Sequence, residues 1–129
     1  PYFSYNYQYR GICESQLKNY HQALQDYADA IHRGPNNADV FVNRGITKTE
    51  LNLYENAVSD FDTAIILDKK NELAHINKSY ALYKMDKMDA ALDEINKAIR
   101  INYLNKTAYE RRGMLKFEMK KYADAIFDF

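Results

Sequence analysis

The sequence repeats itself with a period of 34 residues. Small residues recur at this spacing as Gly11, Gly45, Ser79 and Gly113. Alanines recur as Ala23, Ala57, Ala91 and Ala125, and bulky apolar residues recur as Tyr27, Phe61, Ile95 and Phe129. A constant period of this length is typical of solenoids, in which each repeat is a helix pair that packs only on its neighbours. The period therefore predicts an architecture, but it does not identify a partner.

Other fixed positions within the repeat carry aromatic, alanine and proline residues. If the first unit begins at Ser4, position 4 is Tyr7, Phe41, His75 and Tyr109, and position 17 is Tyr20, Tyr54, Met88 and Tyr122. Position 27 is Ala30, Ala64 and Ala98, and position 32 is Pro35, Lys69 and Tyr103. Together with the small residue at position 8, this pattern resembles the tetratricopeptide repeat family. The third unit departs most from it, through His75, Ser79, Met88 and Ile95.

The resemblance implies an all-α, right-handed superhelical solenoid of antiparallel helix pairs, with about three and a half repeats. The predicted bounds are 1-3 for the end of a preceding repeat, 4-37, 38-71 and 72-105 for repeats 1 to 3, and 106-129 for a truncated repeat 4. Together these form one domain, and we expect further repeats or another domain outside it. Helix A of repeat 2 is predicted near Ala38–Leu51 and helix B near Tyr54–Leu67, with the others offset by 34 residues. The A–B turns are predicted at Lys18-Asn19, Asn52-Leu53, Asp86-Lys87 and Lys120-Lys121.

Composition and motifs argue against several classes of function. Lys+Arg and Asp+Glu both number 18, so a net charge of zero gives no bulk attraction to nucleic acid or to an anionic membrane. No apolar run approaches the roughly 20 residues of a membrane-spanning helix. The single Cys13 excludes an internal disulfide, and one thiol does not fix the compartment. The histidines are scattered, His75 in a packing position, and no phosphate-binding or metal motif is present. We therefore predict no enzymatic activity, cofactor, metal site, nucleic-acid binding or membrane insertion.

Each repeat pairs a basic residue on helix A with an acidic residue on helix B. Position 7, usually Leu in the family, is Arg10, Arg44, Lys78 and Arg112, and position 23 is Asp26, Asp60, Glu94 and Asp128. We predict a ladder of ion pairs that fixes helix A against helix B or against a neighbouring helix A. The alternative is that these charges are only solvated. Exposed pairs contribute about 0–1 kcal/mol each, so the predicted role is structural.

The resemblance also implies a binding surface, because the A helices of the family line the concave face of the superhelix. Position 6 is Tyr9, Asn43, Asn77 and Arg111, while Tyr80 and Tyr83 are at positions 9 and 12 of repeat 3. An Asn amide offers donors and an acceptor together, and family members that grip extended peptides have a similar Asn ladder. The predicted partner-binding residues are Tyr9, Asn43, Asn77, Tyr80, Tyr83 and Arg111, with Arg111 available to an acidic group. The alternatives are solvated Asn side chains and tyrosines that pack between A helices.

One specialised family function fits the sequence poorly. Chaperone-binding members have a carboxylate clamp with Lys at position 5 and Asn at position 9 of one unit, Asn at position 6 of the next, then Lys at 2 and Arg at 6. Repeats 2 to 4 supply Val42, Ile46, Asn77, Thr107 and Arg111, so two of five match. The predicted function is a noncatalytic scaffold that binds an extended peptide segment of a protein partner. The alternatives are a targeting or regulatory arm of a larger enzyme, and self-association through open repeat ends.

Overall fold

The fold is a succession of helices. The computed structural model describes residues 2–127, and the side chains of residues 4–123. The helices are α1 (Tyr2–Gln16), α2 (Tyr20–Arg33), α3 (Ala38–Glu50), α4 (Tyr54–Leu67), α5 (Glu72–Lys84), α6 (Met88–Ile101) and α7 (Lys106–Phe127). No strand occurs in this part of the chain, so the prediction of an all-α fold is confirmed. The ends of α3 and α4 agree with the predicted A and B helices of repeat 2 to within one residue.

The helices form a solenoid because each one packs mainly on those adjacent to it in sequence. Helices α1 and α2, α3 and α4, and α5 and α6 form the three closest pairs, and the second helix of each pair packs on the first helix of the next. The first helices also touch one another, α1 with α3, α3 with α5 and α5 with α7. This order places α1, α3, α5 and α7 side by side as one layer of the superhelix.

The periodic small and large residues meet inside each pair. A Cβ at Gly45 would lie 2.6 Å from Cε1 of Phe61, and one at Gly11 would lie 2.8 Å from Cε1 of Tyr27. A side chain at either position would therefore collide with an aromatic ring of helix B. Repeat 3 has Ser79 at the equivalent place, where the smaller Ile95 replaces the ring. The buried Ser79 hydroxyl donates a hydrogen bond of 2.8 Å to the carbonyl of Ala91.

The turns within the first three repeats share one backbone feature that the sequence did not announce. Lys18, Asn52 and Asp86, all at position 15 of their repeats, have φ angles of 63°, 61° and 59°. This left-handed conformation costs a residue with a Cβ roughly 1–2 kcal/mol, whereas Asn and Asp tolerate it better. Lys18 is therefore the most strained of the three turn residues.

Replacing Lys18 by glycine is expected to stabilise the protein by about 0.5–1 kcal/mol, because relief of the left-handed strain exceeds the added flexibility of the unfolded chain. Urea denaturation of Lys18→Gly and wild type measures the difference. Asn52→Gly is the matched control, with a smaller expected gain because Asn adopts this conformation more readily. An unchanged or lower stability of Lys18→Gly would contradict the expectation.

The fourth repeat does not form the predicted helix pair. Helix α7 continues through the predicted turn at Lys120-Lys121 and ends at Phe127, so that prediction is wrong. Tyr109 is consequently 42% exposed, whereas Phe41 and His75 at the same position are 8% and 6% exposed. No described atom lies within 4 Å of where a Cβ of Gly113 would stand. The predicted positions of Pro1, Asp128 and Phe129 lie outside the described residues.

Candidate functional site

The four position-6 residues lie on the layer of first helices, one on each. Tyr9 of α1 is exposed, and Asn43 of α3, Asn77 of α5 and Arg111 of α7 are half-buried. Because α1, α3, α5 and α7 pack in this order, their position-6 residues follow one another across the layer. The fold therefore provides the row of side chains on which the predicted site depends.

The two asparagines of this row differ in their hydrogen bonds. The Asn77 Nδ2 donates to the carbonyl of Leu73 at 2.8 Å, one turn earlier in α5. Its Oδ1 and second amide hydrogen stay available to a ligand. The Asn43 side chain has no hydrogen bond with any described residue, although its carbonyl accepts one from the Thr47 hydroxyl at 3.1 Å. Asn43 can thus make a bidentate contact as it stands, whereas at Asn77 the bond to Leu73 competes.

Three predicted site residues form a cluster between α5 and α7, which we call the Tyr80 cluster (Tyr80, Tyr83 and Arg111). The rings of Tyr80 and Tyr83 lie 6.4 Å apart, centroid to centroid, at an angle of 37°. The Arg111 Cζ lies 4.7 Å from the centroid of the Tyr80 ring. This is the range of a cation–π contact, so Tyr80 fixes the guanidinium. Lys84, which the sequence did not single out, has its Nζ 5.7 Å from the same centroid.

Arg111 has an unusual environment for a cation. Its Nη1 is buried and has no hydrogen-bond partner among the described residues. Burial lowers the pKa of Arg111, and the charge interaction with Tyr80 only partly opposes this. A guanidinium remains protonated in proteins, so Nη1 keeps an unsatisfied donor. Arg111 also lines a small cleft of about 200 Å³ with Thr107, Glu110 and Met114. An acceptor from a bound molecule could satisfy the donor there.

Tyr9 stands apart from the Tyr80 cluster. It lines a cleft of about 740 Å³ together with residues of α1, of the α2–α3 turn and of the start of α3, among them Tyr5, Asn37 and Asp39. The buried Gln8 accepts a hydrogen bond of 3.1 Å from Asn37 Nδ2 and fixes α1 to that turn. The predicted site is therefore divided into a tyrosine-lined part on α1 and the Tyr80 cluster, with Asn43 and Asn77 on the helices that supply the middle of the row.

One family-based expectation about the groove does not hold for this chain. Position 5 points into the groove in the family, but Val42 and Ile76 at this position are buried in the hydrophobic core. Their apolar side chains pack against neighbouring helices instead of facing a ligand. Val42 is also one of the positions at which the chaperone clamp would require a lysine.

The predicted ion-pair ladder is confirmed in the first three repeats. Nitrogen–oxygen distances are 2.6 Å for Arg10–Asp26, 2.7 Å for Arg44–Asp60 and 3.1 Å for Lys78–Glu94. The acidic partners are buried, so the pairs are not the exposed bridges that the sequence suggested. In repeat 4, Asp128 lies outside the described residues, and Arg112 donates to Asn96 Oδ1 at 3.1 Å. The ladder joins helices A and B and leaves no member for ligand binding.

Within residues 2–127 no group of three or more His, Cys, Asp or Glu side chains is arranged to hold a metal ion. In the same residues no helix combines the length and apolarity needed to cross a membrane.

The layered helix pairs and the row of position-6 residues define the class of this molecule, which is a helical-repeat solenoid. A family model described as tetratricopeptide repeat matches residues 73–103. The repeat pattern, this match and the structural similarities below assign the chain to the tetratricopeptide repeat (TPR) family. No curated protein matches the sequence.

Several solved structures have the same fold. The Arabidopsis OM64 TPR domain is 25% identical with a TM-score of 0.87, covering 90% of this chain and 96% of that one. The first TPR domain of human RPAP3 is 17% identical with a TM-score of 0.91, covering 96% and 98%. The second TPR domain of human RPAP3, in complex with the HSP70 peptide SGPTIEEVD, is 24% identical with a TM-score of 0.81, covering 85% and 92%.

Proposed function

We propose that this chain is a noncatalytic protein-interaction scaffold that binds an extended peptide segment on the concave face formed by α1, α3, α5 and α7. The observation that carries the proposal is the Tyr80 cluster, in which a buried cation retains an unsatisfied donor beside two partly exposed rings. The second TPR domain of human RPAP3, with the same fold, is known in complex with a peptide. That complex supports a peptide as the ligand.

In the proposed complex the row of position-6 residues follows the backbone of the peptide. Asn43 donates to and accepts from one peptide unit, and Asn77 contributes its remaining amide hydrogen and Oδ1 to the next. Tyr80 and Tyr83 contact a side chain, since rigid aromatic residues are favoured anchors at interfaces. Arg111 donates from Nη1 to a carboxylate or carbonyl. Satisfying a buried donor recovers about 1–3 kcal/mol, which makes this contact the strongest of the set.

The preferred peptide is expected to differ from an acidic chaperone tail. Val42 and Ile46 stand where the clamp has Lys and Asn, and Val42 is buried. Thr107 replaces a second Lys. Arg111 and Asn77 alone leave most of the charge of such a tail without a partner. The peptide SGPTIEEVD is therefore a useful comparison ligand, with weaker expected binding than a peptide selected on this chain.

Selection from a random peptide library tests the proposal. Wild type is expected to enrich peptides that share a motif, and the Asn43→Ala/Asn77→Ala variant is expected to bind them about tenfold or more weakly, as loss of about 1.4 kcal/mol implies. The Asn6→Ala/Asn56→Ala variant is the matched control, because both side chains are exposed and lie outside position 6. It should bind like wild type.

Two further results separate the parts of the proposed site. Arg111→Met keeps the length and apolar stem of the side chain but removes the donor, so it should lose the peptides that carry an acidic group at the matching place. Equal binding by wild type and by the Asn43→Ala/Asn77→Ala variant would refute the Asn ladder. Absence of any enrichment would refute peptide capture by this face as a whole.

A further inference from the structure

The straight course of α7 leaves one face of this helix uncovered, and we call this face the α7 seat (Tyr109, Arg112 and Gly113). In repeat 2 the equivalent face is Phe41, Arg44 and Gly45, and α4 covers it completely. There the Phe61 ring lies over Gly45, and Asp60 pairs with Arg44 at 2.7 Å. On α7 the glycine faces open space and Tyr109 is half-exposed. The α7 seat thus has the shape and charge of a surface made to receive a helix.

The contacts of repeat 2 specify which helix fits the α7 seat. It needs a small residue that allows close approach, as the buried Ala57 does, followed three and four residues later by an acid and an aromatic ring. In α4 these residues belong to the sequence Tyr-x-x-Ala-x-x-Asp-Phe, from Tyr54 to Phe61. The same pattern occurs in residues 122–129, as Tyr122, Ala125, Asp128 and Phe129. The chain therefore contains both the seat and a segment that matches it.

A straight α7 keeps this segment away from its own seat. Tyr109 and Ala125 are 16 residues apart on one helix, which is about 24 Å along its axis. The straight course is also supported from the side, because Met119 and Tyr122 line a cleft of about 530 Å³ with Met88 beside the α5–α6 turn. A segment held in this way can reach an α7 seat only on another molecule.

We infer that two copies of this chain exchange the 122–129 segments of their α7 helices, each segment lying in the α7 seat of the other copy. The exchange is reciprocal, so one two-fold axis fills both seats and leaves no open seat for further growth. Each interface places Asp128 of one copy against Arg112 of the other and the Phe129 ring over Gly113. These are the contacts that Asp60, Arg44, Phe61 and Gly45 make within repeat 2. This surface lies apart from the row of position-6 residues proposed for peptide binding.

Sedimentation velocity across a wide range of concentrations tests the exchange. Wild type should show a monomer–dimer equilibrium, and Gly113→Ala should weaken the dimer about tenfold or more, because its Cβ would collide with the incoming ring. The same change leaves the monomer intact, since no described atom lies near Gly113. Thr107→Ala is the matched control, because it also favours helix in α7 but lies outside the seat, and it should dimerise like wild type.

Charge reversal distinguishes exchange from end-to-end stacking of repeats. Arg112→Asp and Asp128→Arg should each lose the dimer, and the double variant should regain it. Circular dichroism checks that each variant remains helical. A wild-type monomer at all concentrations, or dimers unaffected by Gly113→Ala, would overturn the inference. So would a monomer whose thermal stability shows the Arg112–Asp128 coupling, because that result would mean that the segment folds back onto its own helix.

Discussion

Phe61→Ala is expected to lower the free energy of unfolding by about 3–5 kcal/mol, as is usual for loss of a fully buried aromatic ring. Phe61 has no exposed surface, and its ring fills the space that Gly45 leaves on α3. It also belongs to the core cluster that joins α3, α4 and α5. The backbones around Gly45 cannot close the resulting cavity without moving neighbouring helices. Urea denaturation followed by circular dichroism measures the loss.

Phe117→Ala is the matched control, because the side chain of Phe117 is 59% exposed on α7. The same chemical change there should cost less than about 1 kcal/mol. Comparable losses for the two variants would contradict the assignment of Phe61 as a central core residue.

Repeat 3 suggests how the Gly45–Phe61 pair can be exchanged for another. Gly45→Ser alone should destabilise by about 1–3 kcal/mol through overpacking against the ring. Phe61→Ile alone should destabilise through a cavity. Together they reproduce the Ser79–Ile95 arrangement, so the loss in the double variant should be smaller than the sum of the single losses. Additive losses would mean that the two positions do not act as a pair.

Pairs of this kind explain why so much of the fold could be predicted from the sequence. A glycine and an aromatic ring 16 residues apart, repeated at Gly11 and Tyr27 and again at Gly45 and Phe61, specify a close contact between two adjacent helices. Such contacts are short in sequence and depend on side-chain volume, which can be read directly. The ion-pair ladder was predictable for the same reason.

The features that escaped prediction depend on what surrounds each residue. The turn at Lys120-Lys121 failed because lysine has no strong preference for a turn or for a helix, so packing of the following segment decides. The burial of Asp26 and Glu94 was not expected, since an acid on an outer helix suggests a solvated surface. Within the site, the bond from Asn77 to Leu73 and the unsatisfied nitrogen of Arg111 follow from local competition for partners. The row of position-6 residues was predictable, but their hydrogen bonds were not.

Glu94 shows how strongly these surroundings can act on one group. Its carboxylate is buried between α5 and α6, with His75 Nδ1 2.7 Å from Oε2, and Lys78 and Lys97 both 3.1 Å from Oε1. Lys78 also pairs with Asp62 of α4 at 2.8 Å, which ties three helices together. Burial raises the pKa of Glu94, but the hydrogen bonds and charges of His75, Lys97 and Lys78 outweigh it and lower the pKa to about 2.

Glu94→Gln is therefore expected to cost about 3 kcal/mol at pH 7, with a loss that disappears in acid. The unfolded carboxyl has an ordinary pKa of 4.5 and the folded one about 2, a difference worth about 3 kcal/mol. Because the folded pKa is the lower one, the stabilisation is complete above about pH 4.5 and is lost as the pH falls through 2. Urea denaturation from pH 7 to 2 should show the two stability curves converging. Asp93→Asn, which removes the exposed neighbouring carboxylate, should change stability by less than about 0.5 kcal/mol at pH 7. A constant offset between Glu94→Gln and wild type down to pH 2 would show that the carboxylate acts through its shape and hydrogen bonds, not through its charge.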